Sequence, residues 1–219
     1  EEWEAAGEIP RSIFKRFGEM GFMGVTYPEK YGGMELDTFF SVVYTEEMTR
    51  MNSSGFNTSI GAHAGLALAH INGEGSEAQK QKYLTAGLKG ELIGCLAITE
   101  PSGGSDVASL TTKAVKDGDH YIINGNKMWI TNAQYADIVY LYTRTGENKK
   151  DLTTFIVDTK ETEGYSVSKE IHKMGMRSSP TGELSFENAK VPLENRVGAE
   201  GDSVHHMMRN LEIERLTIS

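Results

Sequence analysis

The 219 residues contain a single cysteine, Cys95, and the opening segment EEWEAAGEIP lacks the basic and apolar regions of a secretory signal. Both absences point to a reducing interior, either the cytoplasm or, in a eukaryote, the mitochondrial matrix. Basic side chains are also scarce: 22 Lys and Arg against 31 Asp and Glu leave a net charge of −9. A surface of that sign repels phosphate backbones and anionic lipid, which argues against nucleic acid and membranes as partners. Long apolar runs are missing, since the longest such stretch, residues 62–70, is interrupted by His63, Gly65 and His70 and is too short to span a bilayer. No repeat or low-complexity tract is visible, and no Cys, His and carboxylate cluster has metal-ligand spacing. What remains, 38% hydrophobic and 24% charged side chains, suffices for one large or two modest domains and excludes disorder and fibrous structure. The chain starts at Glu1 and stops at Ser219 inside a helical pattern, so part of a longer protein is expected to be missing.

The first ninety residues read as helical. Ile9, Ile13, Phe14, Phe17, Met20 and Met23 recur at three- to four-residue steps. After a loop carrying Pro28 and Gly32-Gly33, Asp37 opens a second helix to about Met51. Residues 54–71, rich in Ala and Gly, form a third whose small side chains allow a helix or ligand to approach the backbone. Ser76 and Gln79 form a capping box that opens a fourth, ending near Gly87 or Gly90. From residue 92 alternating and β-branched runs take over, and seven or eight short strands at this spacing predict a barrel or sandwich. Asp117-Gly118 and Asn124-Gly125 are dipeptides favoured in tight hairpins, so antiparallel pairing is expected at both. Past Pro192, residues 204–218 return to a helical pattern. The expected fold is therefore α+β: an N-terminal all-α domain (1–91), an antiparallel β-barrel domain (92–200) and the first helix of a truncated C-terminal bundle (201–219).

Two segments carry chemistry. In AITEPSGGSD, residues 97–106, a strand ends in Thr-Glu-Pro and a double-glycine turn, which exposes backbone donors beside a hydroxyl and suits a polar or anionic ligand; taken alone it is more often a plain strand-to-loop turn. In KMWITNA, residues 127–133, strand alternation puts Trp129 and Thr131 on one face, where an indole and a hydroxyl address one planar ligand, or where a core Trp sits beside a ladder Thr. With FGEMGFMGVTYPEKYGG at 17–33 and KMGMRSSPTGELSFENAKVPLENRVG at 173–198, these segments resemble, in order and spacing, the acyl-CoA dehydrogenase family.

That resemblance implies FAD as cofactor, an acyl-CoA substrate converted to the trans-2-enoyl thioester, an electron-transfer flavoprotein as electron acceptor, and a homo-oligomer, a dimer of dimers, in fatty acid or amino acid catabolism. It also keeps open a flavin oxidase or monooxygenase on the same fold, or a dehydrogenase-like binding protein without chemistry. Carried over residue by residue, Leu96, Ala97, Ile98 and Thr99 run along the pyrimidine side of the flavin. Gly104 is a cofactor contact, Ser105 lies where the cofactor and the acyl-CoA pantetheine chain meet, and Trp129, Ile130 and Thr131 edge the ring. Gly103-Gly104 replaces the family's more frequent Ala-Gly.

The last helix offers a base. Met207, Leu211, Glu214 and Ile218 fall on one stripe, which sets a carboxylate among apolar side chains. The run Leu211-Glu212-Ile213-Glu214-Arg215 resembles the Leu-Asp-Leu-Glu-Arg stretch of isovaleryl-CoA dehydrogenases, in which the second acid is the base. Glu212 and Arg215 are then candidate substrate contacts. The rival reading pairs Glu214 with Arg209 or Arg215 and leaves the base on a later helix. His63 and His70 share a helix face as packing residues, and His205-His206 is no ligand pair. Cys95 is expected to be a buried hydrophobe, Met20, Met23, Met174 and Met176 core filler, and Arg177 structural. No metal is expected.

Overall fold

The computed structural model describes residues 1–148 and 151–218, with the side chains of Ala108, Leu211 and residues 213–218 outside the description. Among the described residues five α-helices, two of them with π-helical stretches, precede the sheet: α1 (Glu2–Ala6), α2 (Arg11–Glu19), α3 (Thr38–Arg50), α4 (54–74) and α5 (77–88). The starts of α3 and α5 follow local chemistry. Asp37 Oδ1 accepts the Phe39 and Phe40 N–H groups at 2.9 and 3.3 Å, and Ser76 and Gln79 exchange the two bonds of a capping box. Two stretches, Gly61–Ala67 in α4 and Lys80–Leu84 in α5, are π-helical, a widened turn that helical periodicity alone does not disclose.

Among the described residues eight strands follow: β1 (Gly94–Ala97), β2 (Lys113–Asp117), β3 (His120–Thr131), β4 (Ile138–Arg144), β5 (Leu152–Asp158), β6 (Tyr165–Glu170), β7 (Thr181–Pro192) and β8 (Arg196–Val197). They form one sheet in the order β6-β7-β3-β2-β4-β5-β8, with β1 also on β4. The sheet is mostly antiparallel, as expected, but β1 and β2 both run parallel to β4 and share one of its edges end to end. β1 enters directly from the helices, and the long 98–137 excursion returns the chain beside it in the same direction. Asp117-Gly118 does form the β2–β3 hairpin. Asn124-Gly125 does not: it sits inside β3, where the register against β7 shifts between Ile123 and Gly125. Gly125 has φ +145°, and a Cβ there would lie 2.6 Å from Thr112 Cα, so glycine serves a bulge and a close strand approach.

Two cores follow from strand alternation. Ile138, Tyr140 and Tyr142 of β4 face the helices and pack with Phe14, Leu68, Ile71 and Leu84. Val139 and Leu141 face the other way, toward Cys95, Ile123, Phe155, Leu184 and Val191. A strand buried on both faces reads as a continuous apolar run, which is what IVYLY is. Met23 and Cys95 are buried as expected. Met20, Met174 and Met176 are not core filler: each lies in a loop or turn and is exposed. Helix α6 (Ser203–Ile218) leaves the sheet and docks on α4, where Glu74 meets His206 at 3.2 Å and Arg209 at 3.5 Å while Met207 is buried. Among the described residues no helix is long and apolar enough to cross a membrane.

Candidate functional site

A cleft of about 150 Å³ opens where α4 faces the ends of β1 and β3. Its walls are Leu96, Ile98 and Thr99 from the β1 end, Trp129, Ile130 and Thr131 from β3, and Ala62 and Leu66 from the π-helical turn of α4. Five residues of the two sequence segments, together with Leu96 just before the first, are thus brought together. Ala97 is not among the lining residues: alternation turns its side chain into the sheet core with Cys95. Gly104 packs against Thr99, where a Cβ would come to 3.2 Å of Thr99 Cγ2. Ser105 is exposed on the loop beyond and does not line the cleft. Glu212 is exposed, whereas the side chains of Glu214 and Arg215 lie outside the described residues.

Trp129 and Thr131 reach the same cleft by a route that simple alternation does not describe. The register of β3 against β7 shifts between Lys127 and Ile130, and Trp129 adopts φ +62°. A side chain at positive φ is strained, and strain of this kind persists where the surrounding structure holds it. Here it turns the indole outward, leaving it 54% exposed at the rim.

Bonded to the backbone of the cleft residue Ile98 is a buried ion pair that the two segments do not announce. Lys127 Nζ donates to Glu100 Oε1 at 2.9 Å and to the Ile98 carbonyl at 2.9 Å, with side-chain exposures of 0% for Lys127 and 1% for Glu100. Glu100 also accepts the N–H groups of Thr111 and Thr112 at 2.6 and 2.9 Å and the Thr111 hydroxyl at 2.6 Å. Burial pushes the Glu100 carboxyl up, but the adjacent ammonium and these donors outweigh it and hold it well below the usual carboxylate range. Burial likewise depresses Lys127 below an ordinary lysine, against the pull of Glu100. The signal was present in β3: Tyr121, Ile123 and Lys127 share the inward parity, so a lysine there requires a buried acid.

His63 and His70 are packing residues. His63 bonds Gly87 and Gly94, and His70 bonds the Leu66 carbonyl and lies 5.0 Å from the Tyr140 ring. Burial pushes both down to about 4, so they are neutral at pH 7. Among the described residues no three His, Cys or carboxylate groups gather in the manner of a metal site.

Two family models match, one described as the acyl-CoA dehydrogenase N-terminal domain over residues 1–91 and one as the middle domain over residues 95–189. The chain belongs to the acyl-CoA dehydrogenase family. The mitochondrial isovaleryl-CoA dehydrogenase of Pongo abelii is 43% identical over 213 residues, 95% of this chain and 50% of that protein. The acyl-CoA dehydrogenase structure from Geobacillus kaustophilus is 39% identical with a TM-score of 0.93, over 99% of this chain and 57% of that one. A Bacillus anthracis acyl-CoA dehydrogenase complexed with FAD is 37% identical with a TM-score of 0.88, over 94% of this chain and 35% of that one. The chain spans about half the length of the curated relatives it matches.

Proposed function

We propose that this chain provides the flavin cleft of an FAD-dependent acyl-CoA dehydrogenase, which converts an acyl-CoA to its trans-2-enoyl-CoA and passes the electrons to an electron-transfer flavoprotein. The observation that carries the reading is an exposed, strained indole set beside two threonine hydroxyls at an otherwise apolar cleft. A flat, large ligand with polar edges and apolar faces matches that lining, and an isoalloxazine ring is such a ligand. The Bacillus anthracis relative, which holds FAD, adds weight.

In this reading the Thr131 and Thr99 hydroxyls donate to polar atoms at the ring edge, and the Trp129 indole covers part of the ring. Leu96, Ile98, Ile130, Ala62 and Leu66 keep water from the reacting region, which strengthens every charge interaction there. Ala97 contributes through its backbone, and Gly104 and Ser105 lead from the flavin edge toward the thioester. When bound, FAD supplies the two-electron acceptor for the hydride that leaves the substrate β-carbon. Glu214 takes the α-proton, and Glu212 and Arg215 contact substrate. The active protein is a homo-oligomer.

The test is a visible spectrum of the full-length protein with FAD and a panel of acyl-CoAs. Expected is a bound flavin that one acyl class bleaches, with Glu214→Gln keeping the flavin and losing nearly all bleaching. Protein that stays colourless after FAD addition overturns the cofactor reading, and near-normal bleaching by Glu214→Gln overturns the base.

A further inference from the structure

The cleft walls come from two segments that are distant in sequence, and the buried pair joins them. Lys127 is the last residue of β3 in register before the shift that produces the outward Trp129. Its ammonium holds the Ile98 carbonyl and Glu100, the residues flanking Thr99. One residue on, the Met128 N–H donates to the Thr99 carbonyl at 2.9 Å. Thr99 and Trp129 are therefore fixed to each other by bonds at 127 and 128 on one strand and at 98, 99 and 100 on the other. Glu100 also closes the turn that follows, exchanging backbone bonds with Gly103 at 3.0 Å in both directions. Gly104, next in line, rests on Thr99.

Core integrity alone does not account for this arrangement. An apolar pair would fill the same interior without the cost of removing two charges from water. A charged pair differs in what its separation costs: moving the Ile98–Glu100 end away from Lys127 leaves an uncompensated charge in the interior, so the two segments are held together. The bulge next to it needs such a constraint, because a strand with a register shift has no ladder bonds of its own to set the angle of the extra residues.

We propose that Lys127 and Glu100 are positioning residues for the flavin cleft, acting by locking the Ile98–Glu100 strand end to the Trp129 bulge so that Thr99, Trp129 and Thr131 hold the ring in one pose. This deepens the flavin reading and rests on it. Neither side chain lines the cleft: both are buried, with their polar atoms turned to each other, to Thr111 and to the backbone.

The experiment compares native protein, Lys127→Met, Glu100→Gln, the double variant Lys127→Met/Glu100→Gln, and Thr111→Val in the full chain. FAD affinity is measured by flavin fluorescence and the pose by visible circular dichroism of the bound flavin. Each single variant leaves one buried charge without its counter-ion, Glu100 keeping only its threonine donors or Lys127 chiefly the Ile98 carbonyl, and is expected to lose both thermal stability and FAD affinity. The double variant buries no charge, so its stability is expected to return toward native while FAD affinity stays at least tenfold weaker and the dichroism stays altered. A purely structural pair predicts the opposite, with affinity and dichroism recovering along with stability, and that result overturns the proposal. Should the single and double variants fail to fold, Thr111→Val decides: it withdraws one bond from Glu100 at an exposed position. A roughly threefold weaker affinity with a shifted dichroism supports the lock, and native values overturn it. If native protein itself binds no FAD, the flavin reading fails instead, and the two failures are thereby told apart.

Discussion

His63 joins the π-helical turn of α4 to the strand that edges the cleft: its Nδ1 accepts the Gly94 N–H at 2.9 Å, and its Nε2 donates to the Gly87 carbonyl at 3.0 Å. This arrangement requires the neutral ring, because a protonated Nδ1 would point a second donor at the Gly94 N–H. Burial lowers His63 and His70 alike to about 4. In the unfolded chain each takes up its proton near 6.5, so between pH 6.5 and 4 the unfolded state binds more protons than the folded one. Stability is thus fully present above 6.5 and falls as pH drops toward 4, by roughly 2 kcal/mol per histidine between pH 7 and 5. The buried acids, Glu100 and Asp137, are held below their ordinary values and add their loss only at lower pH. Urea unfolding at pH 7, 6 and 5 checks this. A flat stability over that range contradicts it, and His63→Gln removes its own share of the slope.

Gly125 and Gly61 give opposite outcomes on replacement by alanine. At Gly125 the backbone is at φ +145° and the new Cβ meets Thr112 backbone at 2.6 Å, so Gly125→Ala costs about 2–3 kcal/mol. At Gly61 the backbone is helical and nothing lies within 4 Å of the added Cβ. Gly61→Ala raises stability by about 0.5–1 kcal/mol, the difference in helix propensity. Thermal melts of the two variants decide both.

The sequence carried most of what local chemistry controls. Asp37, Ser76 and Gln79 announced their helix starts because capping is a short-range bond. Residues 120–123 and 138–142 read as strands from their β-branched and aromatic runs, and 138–142 is apolar throughout because each of its faces meets a different core. Tertiary features were less legible. The parallel run of β1 on β4 depends on where a forty-residue excursion returns, and Asn124-Gly125 looked like a hairpin because a bulge and a tight turn call on the same backbone freedom. At the cleft, Thr99, Trp129 and Thr131 could be named from their chemistry, but Ala62 and Leu66 reach it only through a widened helical turn. Lys127 is hard to read as inward because a lysine on a strand is ordinarily solvated, and only its parity with Tyr121 and Ile123 marks it.

Cys95 faces the sheet core between Ala97 and Val139, and burial pushes its thiol well above the ordinary range. The thiolate is the reactive form, so native protein is expected to be inert to a disulfide reagent at pH 8 and to react with one equivalent only after unfolding. Rapid labelling of native protein would place Cys95 at an accessible surface and contradict the packing.

Trp129 and Thr131 separate ligand binding from stability. The indole is 54% exposed and strained in its backbone, so Trp129→Ala gives up little core burial and relieves little or no packing; its melting temperature is expected to stay close to native. A stacked aromatic contributes about 1–3 kcal/mol to a planar ligand, so FAD affinity is expected to fall roughly tenfold or more. Thr131→Val keeps the shape and removes one donor, which lowers affinity by about five- to tenfold. The two act on the same ligand from adjacent positions, so their combined effect is expected to depart from the product of the single effects. Trp129 also reports on the cleft directly. The chain has only one other tryptophan, Trp3, whose ring stacks on Phe56 in the helical region. In a Trp3→Phe background the emission of Trp129 is expected to be quenched as FAD binds, with the same affinity that flavin fluorescence gives. Binding without quenching would put the flavin away from Trp129, and the cleft between α4, β1 and β3 would then not be its site.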